Sequence, residues 1–195
     1  IAAWGTLDGL VNCAGVQTFG LADEEDPADT ERLFATNVLA PIRLIQALLP
    51  HLRARPLAHV VNVGSIFGSI GFPCFASYSA SKYALRGYSE ALRRELADSR
   101  VRVHYVAPRY TRTGFNQEAV ARMAQALGMR QDTPEDVAAQ TLAAISRNAA
   151  DTFLGWPEKL FVRLNALLPR LVDKALSRQA RQMRPFLRRR LAAAD

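Results

Sequence analysis

Residues 59–65 read H-V-V-N-V-G-S, a mostly apolar run closed by a glycine and a serine. A strand with one wet face alternates apolar and polar residues. This one does not, so both of its faces are predicted to be covered. Two other stretches share its character. Residues 7–13, L-D-G-L-V-N-C, run apolar into Ala14 and Gly15, and residues 101–106, V-R-V-H-Y-V, are stopped by Pro108. Residues 151–155 are a short fourth candidate. Helices fill the intervals. Residues 26–52 have a capping Asp26, Pro27 in the first turn, and apolar residues at Leu33, Phe34, Val38, Ile42, Ile45 and Leu49. Pro41 should reshape that helix locally. Residues 77–97 and 134–147 are the other helices, the last capped by Thr133. Fully apolar strands alternating with long helices predict an α/β fold, a doubly wound parallel sheet covered on both sides.

Composition narrows the classes. A chain of 195 residues with 49% hydrophobic content suits one domain with a buried core. Its two cysteines, Cys13 and Cys74, form no CxxC pair, so neither a disulfide scaffold nor a metal site is expected. That usage fits a reducing, cytoplasmic setting. No run of about 18 apolar residues stands out, so no spanning helix is expected. Asp8 and the lack of a basic leader argue against a signal peptide, and Ile1 in place of Met suggests a cut or processed chain.

The net charge of +7 is unevenly placed. Residues 1–150 hold 15 basic and 14 acidic side chains, and residues 151–195 hold 10 and 4. The chain therefore divides into a main unit, 1–156, and a basic extension, 157–195. The extension carries Leu160, Leu164, Leu167, Leu168, Leu171, Val172 and Leu176 at helical spacing, with Pro169 as a break. Arg178, Arg181, Arg184 and the run 188–190 follow. A packed helix with a solvated end is the plain reading. A basic amphipathic helix also suits an anionic membrane surface, a partner subunit or a lid over a cleft. No nucleic-acid motif is present, so no nucleic-acid partner is expected.

The chemistry centres on residues 75–89, F-A-S-Y-S-A-S-K-Y-A-L-R-G-Y-S. Only three of the 25 basic residues are lysines: Lys82, Lys159 and Lys174. On a helix Tyr78 and Lys82 lie one above the other. An ammonium near a phenol favours the phenolate, so Lys82 is expected to lower the Tyr78 pKa. Ser65 sits just past the end of the 59–63 strand, where open parallel sheets bind ligands. A hydrolase built on Ser65 is disfavoured, since V-G-S-I-F is not a G-x-S-x-G elbow.

Five ordered pieces together resemble the short-chain dehydrogenase/reductase family. They are N-C-A-G at 12–15, Asn37 in A-T-N-V-L-A, Ser65 in V-N-V-G-S, Y-S-A-S-K at 78–82, and P-R-Y-T-R-T at 108–113. The resemblance implies a Rossmann-like oxidoreductase that interconverts a carbonyl and an alcohol with NAD or NADP. Tyr78 would be the general acid or base, and Ser65 would orient the substrate oxygen. Lys82 would bind the nicotinamide ribose, and Asn37 would hold a water that links Lys82 to solvent. Asn12, Ala14, Gly15, Pro108, Arg109, Thr111 and Thr113 would line the cofactor side, although Asn12 and Asn37 also suit structural bracing. Ile66, Phe67, Phe72 and Phe75 would shape a pocket for a small, lipophilic carbonyl or alcohol substrate, or belong to the core. Relatives in the family commonly assemble, so a homo-oligomer is expected by analogy.

Two features depart from the family pattern. Arg109 stands where the family usually has glycine, so it must point away or make a contact of its own, for instance with a cofactor phosphate. No G-x-x-x-G-x-G phosphate loop occurs in the 195 residues. At about 30 residues per βαβ unit, roughly 60 residues of the pattern lie outside this sequence. The expectation is a piece of a longer protein. The alternative is a catalytically inactive remnant that serves as a membrane-surface or partner-binding protein. A half-sheet should also leave one strand edge and an apolar face bare.

Overall fold

The computed structural model describes residues 5–187. Four strands form one parallel sheet in the order β1 (Gly9–Asn12), β2 (Ala58–Val63), β3 (Val101–Ala107) and β4 (Asp151–Phe153). Asn12 pairs with Asn62, Asn62 with Tyr105, and Tyr105 with Asp151, so the C-terminal strand ends line up on one edge. Successive residues of β2 serve different cores. Val60 packs with Ile45 and Leu52 of α2 (Ala40–Arg53) and with Leu92 of α3 (Ala76–Glu95). Val61 packs on the other side with Val106 and Leu154, against α5 (Pro134–Ser146). This is the two-sided burial predicted from the apolar run.

The first helical stretch is three pieces: α1 (Pro27–Phe34), a π-helical segment (Ala35–Leu39) and α2. Asp26 caps it, accepting from Ala28 N at 2.9 Å. Pro41 lacks the N–H that would close onto the Asn37 carbonyl, and the ladder widens there instead. Contrary to the sequence expectation, the continuous run Pro27–Arg53 is long and apolar enough to cross a membrane by length and composition. Its buried line, Leu33, Val38, Ile45 and Leu52, packs into the domain, as a core helix does.

The fourth helix, α4 (Glu118–Ala126), was not anticipated from the sequence. Its Ala119, Val120, Met123 and Ala124 are buried, an ordinary amphipathic spacing. The extension folds as α6 (Glu158–Leu167) and α7 (Pro169–Met183), broken at Pro169 as anticipated. Its described residues pack on the domain. Val162 and Val172 pack with Tyr105, and Met183 packs with Tyr78. The arginines at 188–190 lie outside the described residues. β1 ends the sheet, and Val11 on the face away from α2 is 56% exposed, the bare apolar surface expected of a half-sheet.

Candidate active site

Ser65 follows β2 in extended conformation, and its Oγ accepts from Phe67 N at 3.1 Å, which caps a short turn at Ile66–Gly68. Its backbone is held from below by Tyr105. The Tyr105 hydroxyl donates to the Ser65 carbonyl at 3.2 Å, and Ser65 N donates to that hydroxyl at 3.4 Å. Tyr105 is fully buried, and its ring occupies the space that a Cβ at Gly64 would need. At Gly68 a Cβ would meet the Tyr105 hydroxyl and stand 2.7 Å from the Lys82 carbonyl. Both glycines are thus spacers that let β3 and α3 close onto the serine turn.

α3 brings Tyr78 and Lys82 to the same edge. Small hydroxyl residues on its inner face permit close approach: Ser79 Oγ accepts from Phe72 N at 3.2 Å, and Ser81 Oγ donates to the Tyr78 carbonyl at 2.8 Å. The Ser65 side chain stands close enough to the Tyr78 hydroxyl to favour its phenolate form. Lys82 Nζ donates to the Val63 carbonyl at 3.2 Å and lies 5.8 Å from the Tyr78 ring centre. Serine, tyrosine and lysine therefore share one place at the end of the sheet.

Burial sets the protonation of both ionisable groups. Desolvation pushes the Tyr78 phenol up to about 12, and the Ser65 side chain pulls against that rise. The same cause pushes Lys82 down to about 8, with Cys13 opposing. The expected acidification of Tyr78 by Lys82 is therefore not found. Loss of water outweighs an ammonium that is aimed at the Val63 carbonyl.

Asn37, in the π-helical segment, is committed on all sides. Its Oδ1 accepts from Val16 N at 2.9 Å, and its Nδ2 donates to the Val16 carbonyl at 2.8 Å and to Ser81 Oγ at 3.1 Å. It ties the loop after β1 to α3, a bracing role. Asn12 braces too, donating to Asn62 Oδ1 at 2.8 Å, while Asn62 donates to Ser89 Oγ at 2.8 Å. Gly15 lies in that loop. A Cβ there would stand 3.2 Å from Asn37 Oδ1 and 3.6 Å from Lys82 Nζ, so glycine keeps open a cradle beside the lysine. Ala14 is exposed next to it.

Beyond β3, Pro108 accepts from Ile66 N at 3.0 Å through its carbonyl. Thr111 is half-buried and Thr113 is exposed, and Thr111 Oγ1 donates to the Arg109 carbonyl at 3.1 Å. Arg109, expected on the cofactor side, turns away. Its guanidinium donates to Asp132 at 2.6 and 3.0 Å and to Glu158 at 3.3 Å. Gly155, at a φ of 91°, makes room for that cluster, since a Cβ would stand 2.7 Å from Arg109 Cδ. The guanidinium is thus spent on the protein itself, and no side chain at this position reaches toward a phosphate.

Of the expected pocket residues, Phe67, Phe72 and Phe75 surround Tyr78. Phe67 stacks on Phe72 at 4.3 Å, and Phe75 lies 6.3 Å from the Tyr78 ring. Ile66 does not join them; it packs into the core with Ile70, Tyr105 and Val162. Phe19 and Phe115, absent from the sequence expectations, complete the aromatic ring at 4.9 Å from Phe75 and 6.3 Å from Tyr78. Among the described residues no group of three metal-ligating side chains is brought together. The open cradle at Gly15, with an amine and a phenol beside it, fits a nicotinamide nucleoside.

Similarity to known proteins agrees with this arrangement. The chain matches the short chain dehydrogenase family over residues 1–124. It is 31% identical over 191 residues to dehydrogenase/reductase SDR family member 7B of Bos taurus, covering 94% of this chain and 59% of that protein. It is 32% identical over 184 residues to YxnA, an uncharacterized oxidoreductase of Bacillus subtilis, covering 91% and 52%. The chain spans little more than half the length of these curated relatives. A solved short-chain dehydrogenase from Streptomyces avermitilis shares the fold with a TM-score of 0.74 at 30% identity, over 91% of this chain and 72% of that one. Another from Burkholderia cenocepacia, solved in complex with NADP, has a TM-score of 0.74 at 26% identity, over 87% and 68%. With its motif residues converging at the ends of a parallel sheet, this chain belongs to the short chain dehydrogenase family.

Proposed function

We propose that the protein containing this chain is an oxidoreductase that interconverts a small carbonyl compound and its alcohol with NAD or NADP. The observation that carries the reading is the convergence of Ser65, at the end of β2, with the buried Tyr78 and Lys82 of α3, whose amine reaches the Val63 carbonyl two residues before the serine. A substrate oxygen entering between the two hydroxyls would accept from both. A phenol near 12 is fully protonated at neutral pH, so Tyr78 is set to donate as negative charge develops on that oxygen. The bound nicotinamide supplies or accepts the hydride. Lys82 and the Gly15 cradle would hold the ribose, and Thr111 and Thr113 lie on the loop that would face the nicotinamide. Lys82, near 8, is a cation at neutral pH and a source of protons for re-protonating Tyr78. With the Asn37 side chain taken up by Val16 and Ser81, a water completing that relay would rest on the Asn37 backbone. The intact set of Asn37, Ser65, Tyr78 and Lys82 favours this reading over an inactive remnant.

The aromatic wall of Phe67, Phe72 and Phe115 supports a lipophilic substrate. Assembly as a homo-oligomer in the cytoplasm accompanies the proposal, and sedimentation of the native protein tests the first of these. The decisive experiment follows oxidation of NADH and NADPH by the full-length protein against a panel of aldehydes and ketones. Turnover with one dinucleotide that disappears in Tyr78→Phe is the expected result. Full turnover in Tyr78→Phe, or no binding of either dinucleotide, would remove the reading.

A further inference from the structure

The α6–α7 hairpin places apolar side chains where a water-facing helix carries polar ones. The inner side of α6 is occupied by Val162, 5% exposed, and by Asn165, whose Nδ2 donates to the Ser69 carbonyl at 2.9 Å. At helical spacing, the opposite side carries Leu160 and Leu167 with Arg163 between them. Leu160 is 49% exposed and Leu167 is 79% exposed. The corner that follows adds Leu168 at 51% and Leu171 at 56%. No cluster of buried residues claims these four leucines. Single exposed leucines are ordinary, but several around one helix–helix corner mark a contact surface.

The next helix supplies the charge. Val172, Leu176 and Met183 face the body, and the opposite side of α7 presents Arg170, Lys174, Arg178 and Arg181, all exposed. Residues 156–187 hold seven basic and two acidic side chains, a balance of +5. One of the two acids, Glu158, is engaged by Arg109. This charge decides between occupants. A second copy docking through the same face would set +5 against +5, since a two-fold contact meets itself. An anionic bilayer complements both halves, taking the leucines into the acyl boundary and the cations at the headgroups.

We propose that the α6–α7 corner is a docking surface for an anionic phospholipid bilayer, with Leu167, Leu168 and Leu171 inserting and the stripe from Arg170 to Arg181 lying on the headgroups. The proposal is independent of the oxidoreduction proposed above, because none of these residues touches the Ser65–Tyr78 site.

Co-sedimentation of the purified full-length protein with vesicles tests it. The protein should bind vesicles of phosphatidylcholine mixed with phosphatidylglycerol and bind poorly to phosphatidylcholine alone. Arg170→Gln with Lys174→Gln should weaken binding by about twenty-five-fold, at roughly five-fold per cation. Leu167→Asn with Leu168→Asn should retain a weak, salt-sensitive attachment and lose the part that survives high salt. All four sites are exposed, and unchanged thermal melting shows that each variant folds. The proposal is overturned if the native protein ignores anionic vesicles, or if both double variants bind as the native protein does. It is also overturned if the leucine variant turns a dimer into a monomer while lipid binding is absent throughout.

Discussion

The serine turn after β2 and the α6–α7 corner invert the usual partition of side chains in opposite ways. At the turn a charge is inside: Lys82 is 4% exposed, with its amine on a backbone carbonyl. At the corner apolar groups are outside, with Leu167 at 79%. Each arrangement costs free energy in the isolated domain, the first through desolvation of an ammonium and the second through apolar surface left in water. Each is therefore a place where the fold is shaped for something other than its own stability. The contrast also shows how differently such costs are contained. The buried charge sits in a frame where every polar neighbour has a partner, and among the described residues no buried side-chain polar atom is left unbonded. The leucine corner has no such frame: Leu160, Leu167, Leu168 and Leu171 belong to no buried cluster, and exposed Arg163 and Arg170 lie among them.

The contrast can be broken most severely at the phenol. Tyr78→Phe should lower turnover by about a thousand-fold while shifting dinucleotide affinity only a few-fold, because it removes the proton and leaves the cradle. Steady-state rates and dinucleotide titrations on the full-length protein check both halves.

Lys82→Met should separate stability from activity. The lysine pKa lies near 8 in the fold against an ordinary 10.5. Between those values the unfolded chain binds the proton more tightly, so the native protein gains stability as pH rises through that window. The cost of the buried ammonium is fully present below pH 8. Methionine should therefore stabilise at neutral pH by on the order of 1–3 kcal/mol, with the advantage shrinking toward pH 10.5 and activity lost throughout. Denaturant melts on either side of the window check it, and a destabilised variant at neutral pH would refute the assigned cost.

Tyr105→Phe should remove the clamp on Ser65, destabilising the fold by about 1–2 kcal/mol, because the half-buried Ser65 N–H and carbonyl lose their partner. Turnover should fall with it while dinucleotide affinity holds. Arg109→Met should cost a similar amount by leaving Asp132 and Glu158 unpaired in half-buried sites, and should raise the dinucleotide KM by loosening the Thr111–Thr113 loop. The smallest effect belongs to the corner. Leu167→Ser should change unfolding free energy by less than about 0.5 kcal/mol, since no packing is lost. A larger loss would show that the corner is part of the core.

Much of the site was legible because its residues sit at fixed offsets on regular elements. Tyr78 and Lys82 share a helix face by their spacing alone, and Ser65 is placed by the end of an apolar strand. The pairing of Asn37 with Val16 and Ser81 was only half legible. The asparagine was visible, but the π-helical turn that aims it depends on how Pro41 is accommodated. Tyr105 was hidden inside a strand run, where any bulky residue reads as core. Its role comes from a neighbouring strand placing a hydroxyl under Ser65. Arg109 gave the opposite difficulty. Its charge suggested a phosphate, whereas Asp132 and Glu158, 23 and 49 residues further on, reach it first.

The chain's order of apolar strands, capped helices and turn residues was enough to determine a parallel α/β sheet and the edge at which its chemistry lies, because backbone hydrogen bonding and side-chain periodicity are local. Tertiary structure alone decided the protonation of Tyr78 and Lys82, the partner of Arg109, and which leucines of the extension face outward. Those depend on water removed, or left in place, by segments far away in sequence, and no local spacing records that.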